Sequence, residues 1–244
     1  MRPLSVFELL DLWEKGKGRQ TAHNGLAMLS VAYPDVPVER LAMLSIGERD
    51  FYLLKLREIT FGPWLVGQAA CPACGDDLEL KFGIRDIQAA QKIDRNVVEN
   101  FSFNGYELKF RLPNSPDLLS LSGCADLVEA RRILLSRCIL SANIQGNEVP
   151  MDEVPGEVLD AVVKRMEEID RQADVQLDLV CPRCSNRWQI AFDIVSFFWK
   201  EIDHWAKHLL LEVHLLAKAY GWSETEILKM NPWRRHFYLE MIGK

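Results

Sequence analysis

Apolar positions recur every three or four residues towards both ends of this chain and every second residue in several stretches between them, so the pattern predicts helices flanking strands. Leu4 to Lys15 reads as a short amphipathic helix, with Ser5 as N-cap and Glu8 three residues on to complete a capping box; Gly16 and Gly18 end it. A second helix over about 21–33 closes at Tyr33-Pro34-Asp35-Val36-Pro37. A third runs in two pieces to about Thr60, broken at Ser45 or Gly47, and its second piece carries Arg49, Lys55, Arg57 and Glu58 among leucines.

The middle of the chain changes period. Asp77 to Phe82 and Arg187 to Phe192 alternate as strands, as does Asp174 to Val180. Phe101 to Leu112 holds Asn104-Gly105 between two alternating runs, a strong hairpin signal, and Gln145-Gly146-Asn147 marks a second turn. Between them Asp117 is placed to cap a helix through Leu118 and Leu119, and 124–140 reads as a mostly buried helix. Pro155 opens another over about 155–171, with Val158, Leu159, Val162, Val163, Met166 and Ile169 on one side. From Asp193 onward a strong apolar stripe (Phe198, Ile202, Trp205, Leu209, Val213, Leu216) predicts a helix of up to 27 residues, ended by Gly221. Ser223 with Glu226 forms another capping box, and Asn231-Pro232 opens the last helix.

The 244 residues are 48% apolar and 26% charged, enough for a sizeable core in an ordinary globular protein. A net charge of −6 argues against bulk electrostatic binding to nucleic acid or to an anionic membrane, and no apolar run is long enough for a membrane span. Glu8 and Asp11 fall where an export signal needs its apolar core, so a reducing cytosol is the expected compartment.

Cysteine spacing narrows the chemistry. Cys71-Pro-Ala-Cys74 and Cys181-Pro-Arg-Cys184 each set two thiols on a tight turn, each followed by a small or turn-forming residue and a strand. Two such knuckles brought together supply the four soft ligands of a closed, structural Zn²⁺ site. More than a hundred residues separate Cys74 from Cys181, so a zinc ribbon is split and a module is inserted between its halves. The expected Cys74–Cys181 sulfur separation is about 4 Å, as tetrahedral Zn–S bonds near 2.3 Å require. Cys124 and Cys138, about 21 Å apart along one helix, cannot bridge and read as buried small hydrophobes.

Other constellations are weaker. His204, His208 and Glu212 share one helix face, but the glutamate stands outside the histidine pair, where it cannot serve as the general base of a zinc hydrolase. Arg234, Arg235 and His236 in the last helix suggest a DNA-reading helix, yet two arginines among aromatics in an acidic chain fit a protein interface better. No nucleophile elbow, phosphate-binding loop or dinucleotide-binding glycine pattern occurs, so a non-enzymatic protein is expected.

The C-terminal segment carries a resemblance. It reads Asp203-His204, His208, Glu212-Val213-His214-Leu215-Leu216-Ala217, Tyr220-Gly221-Trp222-Ser223-Glu224-Thr225-Glu226-Ile227-Leu228, Pro232, and Arg234-Arg235-His236-Phe237-Tyr238-Leu239-Glu240. This order resembles the baseplate hub assembly (chaperone-type) family of T-even-like phage tails, whose relatives accompany phage-like contractile injection systems. Gly47-Glu48-Arg49-Asp50 through Arg57-Glu58, then Phe61-Gly62 and the first knuckle, is similar to the longer, zinc-ribbon-bearing members. The resemblance covers 193–244, 40–82 and 174–193, and does not extend to the insertion.

The chain is therefore expected to be α+β. A helical N-terminal region (1–66) and a helical C-terminal region (194–244) flank a split ribbon (67–83 and 174–193) that holds an inserted α+β module (84–173). Zn²⁺ on Cys71, Cys74, Cys181 and Cys184 is the expected cofactor, in a structural role. The resemblance implies an assembly component of a contractile-tail baseplate, present in the cytoplasm during assembly, whose partners are other baseplate or hub proteins. Nucleic acid, membrane and small-molecule substrate are not expected, and a zinc-ribbon nucleic-acid binder is the alternative. Trp222, Trp233, Arg234, Arg235 and Tyr238 are the expected partner-binding residues, since interface hot spots are rich in Trp, Tyr and Arg.

Overall fold

The N-terminal helical pattern folds as α1 (Val6–Gly16), α2 (Thr21–Ala32), α3 (Val38–Ala42) and α4 (Ile46–Phe61), in a computed structural model that describes residues 1–89 and 98–242. Ser5 accepts the N–H of Glu8 while the Glu8 carboxylate accepts the N–H of Ser5, closing the expected box. Ser45 and Glu48 do the same at the start of α4, so the helix breaks at Ser45 rather than Gly47. Leucines on the inner faces of α1, α2 and α4 form one core, with Leu29, Leu53 and Leu56 fully buried.

The chain then makes two similar antiparallel hairpins. The first pairs β1 (Trp64–Ala70) with β2 (Asp77–Gly83) and is followed by the short helix α5 (Ile84–Ile87). Between the hairpins lie β3 (Glu99–Phe103), β4 (Tyr106–Phe110), α6 (Ser115–Ser120), α7 (Leu127–Cys138), β5 (Ile139–Ile144), β6 (Asn147–Glu148) and α8 (Gly156–Ile169). The four strands form an antiparallel sheet in the order β3-β4-β5-β6. Asn104 and Gly105 take φ of 48° and 82°, and Gln145 and Gly146 take 51° and 82°, so both turns have the double positive φ that matches strand twist. One sheet face meets Val158, Val162 and Met166 of α8, giving the segment its own core around Leu108 and Phe110.

The second hairpin pairs β7 (Val175–Val180) with β8 (Arg187–Phe192). It leads directly into α9 (Ile194–Tyr220), then α10 (Glu224–Leu228) and α11 (Pro232–Ile242). At 27 residues α9 is roughly 40 Å long and acts as the spine. Its first half packs Ile194, Val195, Phe198 and Ile202 into the N-terminal core. Its second half meets Ile227 and Leu228 through Leu209, Val213 and Leu216. The fold class is α+β, as the periodicities imply, and no helix among the described residues is long and apolar enough to cross a membrane.

Three local expectations are corrected. Asn114, not Asp117, caps α6; Asp117 sits at the third helical position, fully buried, where its carboxylate holds Arg111 and Arg137. α7 is not mostly buried: it starts at Leu127, and Leu127 and Val128 are 85% and 76% exposed, because only Leu135 and Cys138 turn fully inward. Cys124 lies before that helix and is half-buried, its thiol donating to the Asp126 carbonyl; Cys138 is the buried one.

The insertion is anchored beside α4 by polar groups. The Gly47 N–H donates to Asp170 at 2.9 Å, the Ile46 N–H donates to the Pro113 carbonyl at 3.0 Å, and Ser45 bridges to Asn114. Arg49 pairs with Asp50 at 2.8 Å in the same buried region. Burial, opposed by Arg49 and reinforced by the carboxylates of Asp193 and Asp170, pushes the Asp50 carboxyl up to about 6.

Candidate metal centre

The two knuckles are built alike. The Cys71 N–H donates to the Asp76 carbonyl at 2.8 Å and the Gly75 N–H donates to Cys71 at 2.9 Å; Cys181, Asn186 and Ser185 repeat both bonds at 2.9 Å. The residue after the second cysteine must be left-handed for this turn, which Gly75 reaches without strain at φ 72° and Ser185 adopts at φ 59°. Each turn points two sulfurs the same way. The hairpins then bring the turns together, with Phe82 and Phe192, the corresponding residues of β2 and β8, edge to face at 5.7 Å. Arg183 of one knuckle reaches Asp76 of the other at 3.5 Å.

All four sulfurs of Cys71, Cys74, Cys181 and Cys184 lie within 4.8 Å of one another. Cys71 and Cys184 are 3.7 Å apart, and Cys74 and Cys181 are 3.6 Å apart. A tetrahedral ion with bonds near 2.3 Å sets sulfurs roughly 3.8 Å from each other, so the donor set fits a four-thiolate metal. Cys71 and Cys181 are buried and Cys74 and Cys184 exposed, so each knuckle supplies one inner and one outer ligand. Burial raises the Cys71 thiol, but the N–H groups of Ala73 and Cys74 and the neighbouring thiols outweigh it and bring it to about 7. At Cys74 the Asp76 N–H favours the thiolate, yet burial and the three neighbouring sulfurs push it up to about 12. A bound divalent cation would favour the ionised form of these thiols.

The remaining candidate residues separate. His204 and His208 are exposed on α9, and His208 lies 3.3 Å from Glu212. The same Glu212 accepts from Arg235 at 3.0 Å, so its carboxylate closes a contact between α9 and α11. Arg235 was expected at a partner surface; it is instead buried, also donating to the Met230 carbonyl at 3.2 Å, because α11 folds back onto α9. Trp222 stacks on Tyr220 at 4.5 Å and meets Tyr238 at 4.9 Å, both half-buried. Trp233 and Arg234 face outward, Trp233 at 77% exposure.

Two features escaped sequence reasoning. Arg57, one of the polar positions of α4, is buried and grips Glu201 of α9 at 2.5 and 2.8 Å and the Gly62 carbonyl at 2.7 Å. A groove of about 630 Å³ opens beside that pair, between β1 and α9. No local pattern announces either, since both depend on α4, β1 and α9 meeting.

A family described as T4 bacteriophage base plate protein matches residues 28–199 of the chain. The matched range runs through the insertion, where the motif resemblance stopped, and ends early in α9, before most of the segment that carried it. No curated protein and no solved structure matches.

Proposed function

Since the chain belongs to the T4 bacteriophage base plate protein family, matched over more than two thirds of its length, we propose that it helps assemble a contractile-tail baseplate through protein–protein contacts, with zinc as an internal staple. A structural or assembly role at the baseplate follows from the family. The chaperone-like role, the zinc ion and a place in phage-like injection systems are the finer reading. The observation that supports it best is the four-sulfur cluster, formed by two hairpins at opposite ends of an insertion with its own core. Zn²⁺ would be held by Cys71, Cys74, Cys181 and Cys184, and supplies a crosslink that fixes one hairpin against the other. Four thiolates leave no open position for a substrate, which fits a non-enzymatic protein. On this reading the domain plan is an N-terminal helical region (1–66), a split ribbon (67–83 and 174–193), an inserted α+β module (84–173) and a C-terminal helical region (194–244), acting in the cytoplasm while tails are built.

Two measurements test this. Metal analysis of the purified chain is expected to find one zinc per molecule, and a zinc-free, fully folded protein would overturn the staple. Co-expression with tail tube, sheath, spike and baseplate proteins of a contractile tail is expected to give a stable complex with a baseplate subunit. Tight, specific DNA binding at physiological salt without any such complex would instead establish the nucleic-acid-binding alternative.

A further inference from the structure

The groove between β1 and α9 has the build of a peptide-binding edge. Val66, Gly67 and Gln68 line it, whereas their register partners Lys81, Leu80 and Glu79 on β2 do not, so it lies on the side of β1 away from β2. Among the described residues β1 pairs with β2 alone, which leaves that backbone edge without a strand partner. Facing it, Phe197, Lys200, Glu201, His204, Trp205 and His208 recur three and four residues apart and so form one continuous face of α9. That face spans roughly 16 Å at 1.5 Å per residue. An extended strand advances about 3.3 Å per residue, so about five residues fit alongside. A free strand edge beside a helix is the arrangement by which peptides add as an extra strand, with backbone hydrogen bonds for affinity and side-chain pockets for selectivity.

Charge and shape then select the occupant. Phe61, Phe197 and Trp205 give the groove its apolar contact, and the Phe197 ring lies against Gly67, where a side chain would otherwise stand. Arg57 and Glu201 neutralise one another by their paired contacts. Lys200 enters none of the ion pairs among the described residues, so with Arg57 and Glu201 paired the rim keeps one positive charge, and His204 stands one helical turn further on as a second hydrogen-bonding group.

We propose that this groove binds an extended, acidic segment of another protein by strand addition to β1, with a large apolar side chain between Phe197 and Trp205 and a carboxylate at Lys200 and His204. That the owner of the segment is a baseplate subunit rests on the function proposed above.

Selection of a random-peptide display library on the full chain is expected to enrich sequences with an acidic residue beside a large apolar one. A Lys200→Glu/His204→Glu variant, altered only at exposed positions and checked for unchanged melting temperature, is expected to bind such peptides at least about tenfold more weakly. A peptide whose acid is replaced by lysine should recover binding to that variant. Selected peptides that bind the variant as tightly as the parent, or a selection with no acidic–apolar enrichment, would overturn the groove as the site. In the co-expression experiment, a complex that survives the double substitution overturns the groove's role there while the baseplate reading stands. Peptide binding through the groove without any baseplate complex leaves the site standing and removes the assignment of its partner.

Discussion

Single residues here act mainly through what they hold. Cys184→Ser removes one outer ligand while leaving the turn intact, so zinc content and melting temperature should fall together, read by metal analysis and thermal unfolding. Arg235→Ala leaves Glu212 in a partly buried site without its guanidinium partner. A loss of about 1.5–3 kcal/mol in denaturant unfolding is expected, the range for hydrogen bonds to charged groups. Asp117 offers a pH test. Burial raises its carboxyl, but Arg111, the Asn114 N–H and Arg137 outweigh that and hold it below the ordinary 3.8. A carboxylate depressed in the folded state stabilises above the unfolded value and loses that contribution as pH falls through the folded one. Asp117→Asn should therefore destabilise most at neutral pH, and the gap to the parent protein should close as pH drops below about 4, measured by denaturation across pH.

At the scale of elements, the caps decide where helices begin. Asp193 accepts the N–H groups of Val195 and Ser196 at 3.0 and 3.2 Å at the point where β8 becomes α9. Asp193→Ala should cost about 1 kcal/mol by the usual worth of such a cap, read as a shift in denaturation midpoint with an unchanged slope. The α9 stripe serves two cores in succession, and this is why one helix can run 27 residues without a partner of equal length. The face turned to β1 forms the groove.

For the whole molecule, α10 and α11 are part of the body rather than an appendage. Ile227 is fully buried and Leu228 nearly so, against Leu209 and Leu216. Deleting 222–244 should lower the melting temperature sharply, because it uncovers the second half of the α9 stripe. An unchanged melting temperature would show that the segment contributes only to contacts outside the chain. The four-cysteine cluster works at the same scale. It joins hairpins that flank the whole insertion, so chelation should loosen the hairpins first and leave the sheet packed on α8 protected, as hydrogen exchange of the chelated protein would show.

Much of this was legible in the sequence because it rests on local chemistry. Capping pairs, Asn-Gly turns and period changes act over a few residues, so Ser5–Glu8, Asn104-Gly105 and the 27-residue stripe ending at Gly221 could be placed from the chain alone. The paired CPxC turns prescribed their own sulfur geometry wherever they met. What the tertiary structure decided is which polar groups lie inside. Asp117 and Asn114 exchange roles because the buried carboxylate has two arginines to satisfy, and Arg235 turns inward because α11 folds back onto Glu212. Arg57 bridges α4 to α9, and Leu127 is left exposed because none of the described residues covers the start of α7. Such outcomes depend on which surfaces meet once the elements pack, and an ion pair or a groove made that way leaves no periodic trace in the sequence.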